Sequence, residues 1–178
     1  MKGILFTEFL EMVEQRFGIK TVDTIVSQPN IEFDSYTSVG SYPHGQMVQL
    51  VLNLSAQTGI AVEELLKVYG RYLFGRLAAQ YPEMMLGITN PLDFLEKIES
   101  HIHVEVRKLY PDSKPPSLQP LRISAQQIKL TYHSHRKMAD VAEGLIMGCG
   151  DYYRASLTLE RKETPDGLVE FLISCHEC

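Results

Sequence analysis

The hydrophobic pattern of this chain changes at Pro111, from helical to largely alternating. Before it, apolar residues recur at about every third or fourth position; after it, beyond the breaks at Pro115, Pro116 and Pro120, they alternate. A period near 3.6 belongs to helices and a period of 2 to strands. The chain therefore predicts an α+β fold, with a helical N-terminal part packed on a smaller C-terminal antiparallel sheet that carries at least one helix. Leu5, Phe6, Phe9, Leu10, Met12, Val13 and Phe17 predict a helix over Gly3 to Phe17, ended by Gly18. A short helix is expected at Thr21 to Ser27, a loop over 30–43, and helices near 44–58 and 61–80. The next helix is the best marked, because Asn90 is an N-cap, Pro91 takes the first helical position and Asp93 and Glu96 complement the positive helix end. Its stripe of Leu92, Leu95, Ile98, Ile102, Val106 and Leu109 predicts one continuous helix as far as Tyr110. Strands are expected at Leu121–Ser124 and Gln126–His133, and a helix at Lys137–Met147. Two further strands, Ala155–Lys162 and Leu168–Ile173, flank a turn at Thr164-Pro165-Asp166-Gly167.

A chain of 178 residues, 44% of them hydrophobic, is the size of one domain and can bury a core. Its net charge of −5 is the wrong sign for a dedicated nucleic-acid binder. No apolar run approaches the ~18 residues of a membrane span, and the start Met1-Lys2-Gly3-Ile4 does not read as a secretory leader. A cytoplasmic location, without membrane or nucleic-acid partners, is the expectation. Three cysteines, Cys149, Cys175 and Cys178, are too few for a disulfide framework.

Three groups of residues can carry chemistry. His103 falls at the border of the apolar stripe when the helix is projected at about 100° per residue, whereas His101 points away. There it can offer a neutral imidazole nitrogen to a metal or haem iron, or simply bond a backbone carbonyl. Tyr132, Ser134 and Arg136 share one face of an extended segment, with His133 and His135 on the other. Two hydroxyls and a guanidinium suit carboxylates or a phosphate, and equally suit a plain solvated face. Cys149, Cys175, His176 and Cys178 are soft ligands that can furnish a four-coordinate zinc site, act as redox-sensitive thiols or be simple core. The signatures GxSxG, GxxxxGK and GxGxxG are absent.

His103 and the Tyr132/Ser134/Arg136 trio together resemble the H-NOX family, the haem-nitric oxide/oxygen binding domains. The likeness extends over essentially the whole chain. It is carried by Met1-Lys2-Gly3-Ile4, by Ile102-His103-Val104-Glu105-Val106-Arg107-Lys108-Leu109-Tyr110-Pro111, by the Tyr-x-Ser-x-Arg motif at Tyr132, Ser134 and Arg136, and by Ala142-Glu143-Gly144-Leu145-Ile146. The resemblance implies a single haem domain over 1–178, with a distal helical part at about 1–60, the haem-ligating helices and sheet at about 61–178, and haem b between them. It implies that His103 is the axial iron ligand, that Tyr132, Ser134 and Arg136 hold the propionates, and that Pro116 presses on the macrocycle. The distal wall it implies is Leu5, Phe9, Leu73, Phe74, Val141 and Leu145, with Val141 where oxygen-binding relatives carry a tyrosine. An apolar distal wall gives bound oxygen no hydrogen-bond donor, which favours nitric oxide. If these residues are only core, a donor such as Tyr72 can serve instead.

The function implied is that of a non-enzymatic gas sensor. Nitric oxide, and also carbon monoxide, would bind ferrous haem, and loss or weakening of the His103–iron bond would switch the conformation. At this length an output domain is not expected in the same chain, so the partner implied is a separate histidine kinase or cyclic-di-GMP enzyme. Two other readings stand beside this one. One is an oxygen-binding haem protein. The other is a redox-responsive module built on Cys149, Cys175 and Cys178, with or without zinc.

Overall fold

The computed structural model describes residues 1–32 and 35–177. Four helices open the chain: α1 (Gly3–Phe17), α2 (Ile19–Val26), α3 (His44–Thr58) and α4 (Val62–Gln80). Gly18 at φ 87° separates the first two, and Gly59, in the left-handed region, ends α3 with its N–H on the Ser55 carbonyl. A residue with a Cβ resists both conformations. Phe6, Phe9, Met12, Met47, Leu50 and Leu54 are buried between these helices as one core.

The C-terminal part is a four-stranded antiparallel sheet in the order β1 (Ser117–Ser124), β2 (Gln127–His133), β4 (Val169–Glu177), β3 (Ser156–Glu163). Its second core joins Ile128, Leu130, Phe171 and Ile173 to Leu92 and Leu95, and to Cys149 of α7 (Ala139–Tyr153). The α+β expectation holds. Helix α4 belongs to both cores, since Leu65, Tyr69 and Leu73 enter the first and Phe74 and Ala78 the second.

Several elements depart from the expected bounds, among them β4, which runs past Ile173 to Glu177. Strand β1 starts at Ser117 and runs through Pro120, which pairs with Leu130. An edge strand tolerates a residue without an N–H, because one of its sides makes no ladder. Helix α7 runs on to Tyr153 through Gly148 and Gly150, and those glycines are no stop signal. Alpha-carbons of α4 and α7 come very close. A Cβ on Gly70 would stand 2.2 Å from the Val141 carbonyl oxygen, one on Gly144 2.1 Å from that of Lys67, and one on Gly148 2.7 Å from that of Arg71. Ion pairs Lys67–Glu143 and Arg71–Asp151 flank this seam. The continuous helix expected from Pro91 to Tyr110 is instead three pieces: α5 (Pro91–Lys97), a π-helical turn (Ile98–Ile102) and α6 (His103–Leu109).

Candidate functional site

One cavity of about 490 Å³ opens between the two parts. Its walls come from α1, α4, α5, the π turn, α6, the 110–116 connection, β2 and α7, and most of the side chains that line it are apolar. A largely apolar cavity of this size with a few converging polar groups is the usual form of a small-molecule or cofactor site.

His103 enters this cavity because of the π turn. Its N–H reaches back five residues to the Ile98 carbonyl, so the chain turns less per residue there than an α-helix does. The side chain thus lags behind its α-helical projection and joins Ile98, Ile102 and Val106 on the cavity wall. It is 12% exposed, while His101 is fully on the solvent side. His103 Nδ1 is 3.0 Å from Glu99 Oε2. With that nitrogen donating to a carboxylate, Nε2 is the basic nitrogen of the ring. Burial lowers the His103 pKa and outweighs the raising effect of Glu99, which keeps the ring neutral. Burial alone would raise the pKa of Glu99, but hydrogen bonds from Arg107, His103 and the Leu118 N–H hold it below the ordinary value. Glu99 escaped the sequence reading. Its four-residue spacing from His103 was the available signal, since such pairs meet on one helix face.

Tyr132, Ser134 and Arg136 line the same cavity while His133 and His135 are exposed, but the extended segment expected through Arg136 stops with β2 at His133, and a turn at 135–136 brings Arg136 to the wall. Strand β2 carries Tyr132 into the core against Phe171, at 6.3 Å between ring centroids. Burial raises the Tyr132 pKa, with hydrogen bonds from Ser134 and the Met138 backbone acting against it. Ser134 Oγ accepts the Arg136 N–H at 3.2 Å, and Arg136 Nη1 donates to the Lys114 carbonyl at 3.1 Å. One residue from Lys114, the Ser113 hydroxyl is buried in the cavity wall without a hydrogen-bond partner among the described residues. Pro115 and Pro116 both reach the wall beside it.

A family model described as Haem-NO-binding matches residues 2–161. The chain belongs to the Haem-NO-binding (H-NOX) family. The Fe(II) unliganded H-NOX protein from K. algicida is 36% identical, with a TM-score of 0.92 over 100% of this chain and 98% of that one. The H-NOX from Shewanella woodyi in the Fe(II)CO ligation state is 38% identical, with a TM-score of 0.83 over 98% and 94% of the two chains. Soluble guanylate cyclase 89Db of Drosophila melanogaster is 27% identical over 139 residues, 76% of this chain. The chain spans about a fifth of the length of that curated relative.

H-NOX domains bind haem and sense gases, and the residues of this chain suit such a group. A haem needs an imidazole nitrogen for its iron, partners for two carboxylates and an apolar slot for its ring. His103 is the one histidine among the lining residues. The orphaned Ser113 hydroxyl adds a polar group that wants a partner from within the cavity.

Five of the six apolar residues expected at the distal wall of this H-NOX cavity line it: Leu5, Leu73, Phe74, Val141 and Leu145. The sixth, Phe9, stands behind the wall, edge-on to Tyr69 at 5.3 Å between centroids. Tyr69 also lines the cavity, and the sequence did not single it out. Its hydroxyl is committed to the Leu5 carbonyl at 2.6 Å. Tyr72, the alternative donor, is not among the lining residues; its hydroxyl instead accepts Gln15 Nε2 at 3.5 Å, outside the cavity.

Of the residues expected in a cysteine site, Cys149, Cys175 and His176 are described. Cys149 is buried on α7, and burial pushes its thiol well above the ordinary range, away from the reactive thiolate. Cys175 is buried in β4, while His176 points outward to Thr158 Oγ1 at 3.0 Å. Cys175 and His176 face opposite sides of the sheet, as neighbouring strand residues do. Cys178 lies outside the described residues. Among the described residues no group of three His, Cys, Asp or Glu side chains is placed to hold a metal, and no helix is long and apolar enough to cross a membrane.

Proposed function

We propose that this chain is a nitric oxide sensor that carries haem b on His103 and controls a separate signalling partner, a histidine kinase or a cyclic-di-GMP enzyme. The observation that carries this reading is the single cavity in which a neutral imidazole, oriented through Nδ1, shares the walls with the Tyr132/Ser134/Arg136 trio. When bound, haem b supplies a ferrous iron that can take a diatomic gas. His103 offers that iron Nε2. Tyr132, Ser134 and Arg136 anchor the propionates through hydroxyls and a guanidinium, the pairing that carboxylates favour. Leu5, Leu73, Phe74, Val141 and Leu145 keep water out and present no donor. Tyr69, the nearby phenol, has its proton engaged by Leu5. A wall without a free donor withholds the hydrogen bond that stabilises oxygen, and costs nitric oxide much less. His103 sits at the joint of the π turn and α6, so a change in the pull on its ring shifts α6 relative to β1. The ferrous CO state of the Shewanella woodyi relative supports the same ligand class here.

The test is the absorption spectrum of the dithionite-reduced protein under argon, in air and with nitric oxide. A five-coordinate ferrous haem that ignores air and shifts with nitric oxide is expected, and His103→Gly should abolish the nitric oxide response of the partner. A stable oxygen complex, or a normal response in the glycine variant, refutes the reading.

A further inference from the structure

Glu99 ties the π turn in which it stands to two further elements, α6 and β1. Its Oε2 accepts His103 Nδ1 at 3.0 Å and the Leu118 backbone N–H at 3.1 Å, and its Oε1 takes Arg107 Nη2 at 2.9 Å. These donors belong to the start of α6, to strand β1 and to the last turn of α6. Glu99 itself stands in the π turn. No other carboxylate hydrogen-bonds this imidazole among the described residues. A carboxylate on the far nitrogen of a ligating histidine fixes its orientation and makes the near nitrogen a stronger donor to metal. Arg107 draws charge from the same carboxylate and so opposes that effect.

We infer that Glu99 is the positioning residue that sets the strength of the His103 bond to the bound iron, with Arg107 as its counterweight. The inference rests on the haem reading above. It makes the stiffness of the switch a property of a balance between one acid and one base. Removing the acid softens the bond and removing the base stiffens it. A merely structural role for the pair predicts no such opposition, because both changes would only loosen the same corner.

The experiment is resonance Raman spectroscopy of the full chain reconstituted with haem and reduced under argon, together with its reduction potential. Glu99→Gln keeps an amide oxygen for Nδ1 but loses the charge. Arg107→Met acts on a side chain 44% exposed, where loss of fold is not expected. The iron–histidine stretch should fall in Glu99→Gln and rise in Arg107→Met, and the reduction potential should move up in the first and down in the second. Shifts of the same sign in both variants, or none, overturn the inference and leave the haem reading standing. If Glu99→Gln does not hold haem, Arg107→Met decides by itself: a rise supports the inference, and no change or a fall overturns it. A missing His103-dependent stretch in the unaltered chain overturns the haem reading and this inference with it.

Discussion

The seam between α4 and α7 supports a quantitative prediction, because both helices line the cavity proposed to hold haem. A Cβ on Gly144 meets the Lys67 carbonyl oxygen at 2.1 Å, where ordinary contact begins at 3.4 Å, so Gly144→Ala forces the helices apart by about 1.3 Å. The obstacle is backbone, and no rotamer can relieve it. Overpacking of this kind costs about 3 kcal/mol at the upper end of its usual range. The gain in helix propensity offsets about 1 kcal/mol. The net loss of about 2 kcal/mol corresponds to a fall in Tm of roughly 4–8 °C for a domain of this size. Gly75→Ala on α4 is the control, for its Cβ meets nothing within 4 Å and should stabilise. That gain is about 0.5–1 kcal/mol. Thermal unfolding followed by circular dichroism gives both values, and haem uptake of Gly144→Ala should fall as Val141 and Leu145 move from Leu73 and Phe74. If Gly144→Ala melts as high as Gly75→Ala and takes up haem normally, the close approach assigned to these helices is wrong.

Three further outcomes are expected. Arg136→Ala should speed the loss of haem to a competing apoprotein by about ten- to a hundredfold, the loss of one charge-assisted bond of about 1.5–3 kcal/mol; an unchanged rate removes Arg136 from the anchor. Val141→Tyr puts a hydroxyl on the distal wall and should yield an oxygen complex that persists in air, seen by absorption; continued indifference to oxygen would show that donor supply is not the selector. Burial, then the Tyr110 hydroxyl at 2.7 Å, push the Tyr81 pKa up to about 12 from its ordinary value near 10. The phenol is thus favoured in the folded state, and its contribution is complete below pH 10 and lost as pH rises through about 12. Tyr81→Phe should flatten the fall of stability over that window in alkaline unfolding curves, and an unaltered slope counts against the hydroxyl pair.

Much of this protein is local enough to be written in sequence. The period change at Pro111, the Asn90-Pro91 helix start and the Gly18 and Gly59 stops each depend on a few adjacent residues, and the structure keeps them. The Tyr-x-Ser-x-Arg spacing of Tyr132, Ser134 and Arg136 is local too, although a turn after β2 rather than a continued strand carries its last two residues, and the family likeness joined that trio to His103. Other features needed partners distant in the chain. Gly148 looks like a helix breaker until Arg71 is brought against it, and the break then becomes a contact. Pro120 looks like the end of a strand until β1 is seen to be an edge. The π turn before His103 leaves no periodic trace, since one extra residue displaces the stripe by about 100°, which is about the stripe's own width. Phe9 and Tyr69 exchange places at the distal wall because depth in a core is set by packing between α1 and α4, to which a one-dimensional pattern is blind. The residue types and spacings of this chain determined its elements and its ligand chemistry. Which side chains reach the cavity, and which carboxylate holds the imidazole, were decided only when the helices closed on the sheet, because both are distances between residues that the sequence keeps apart.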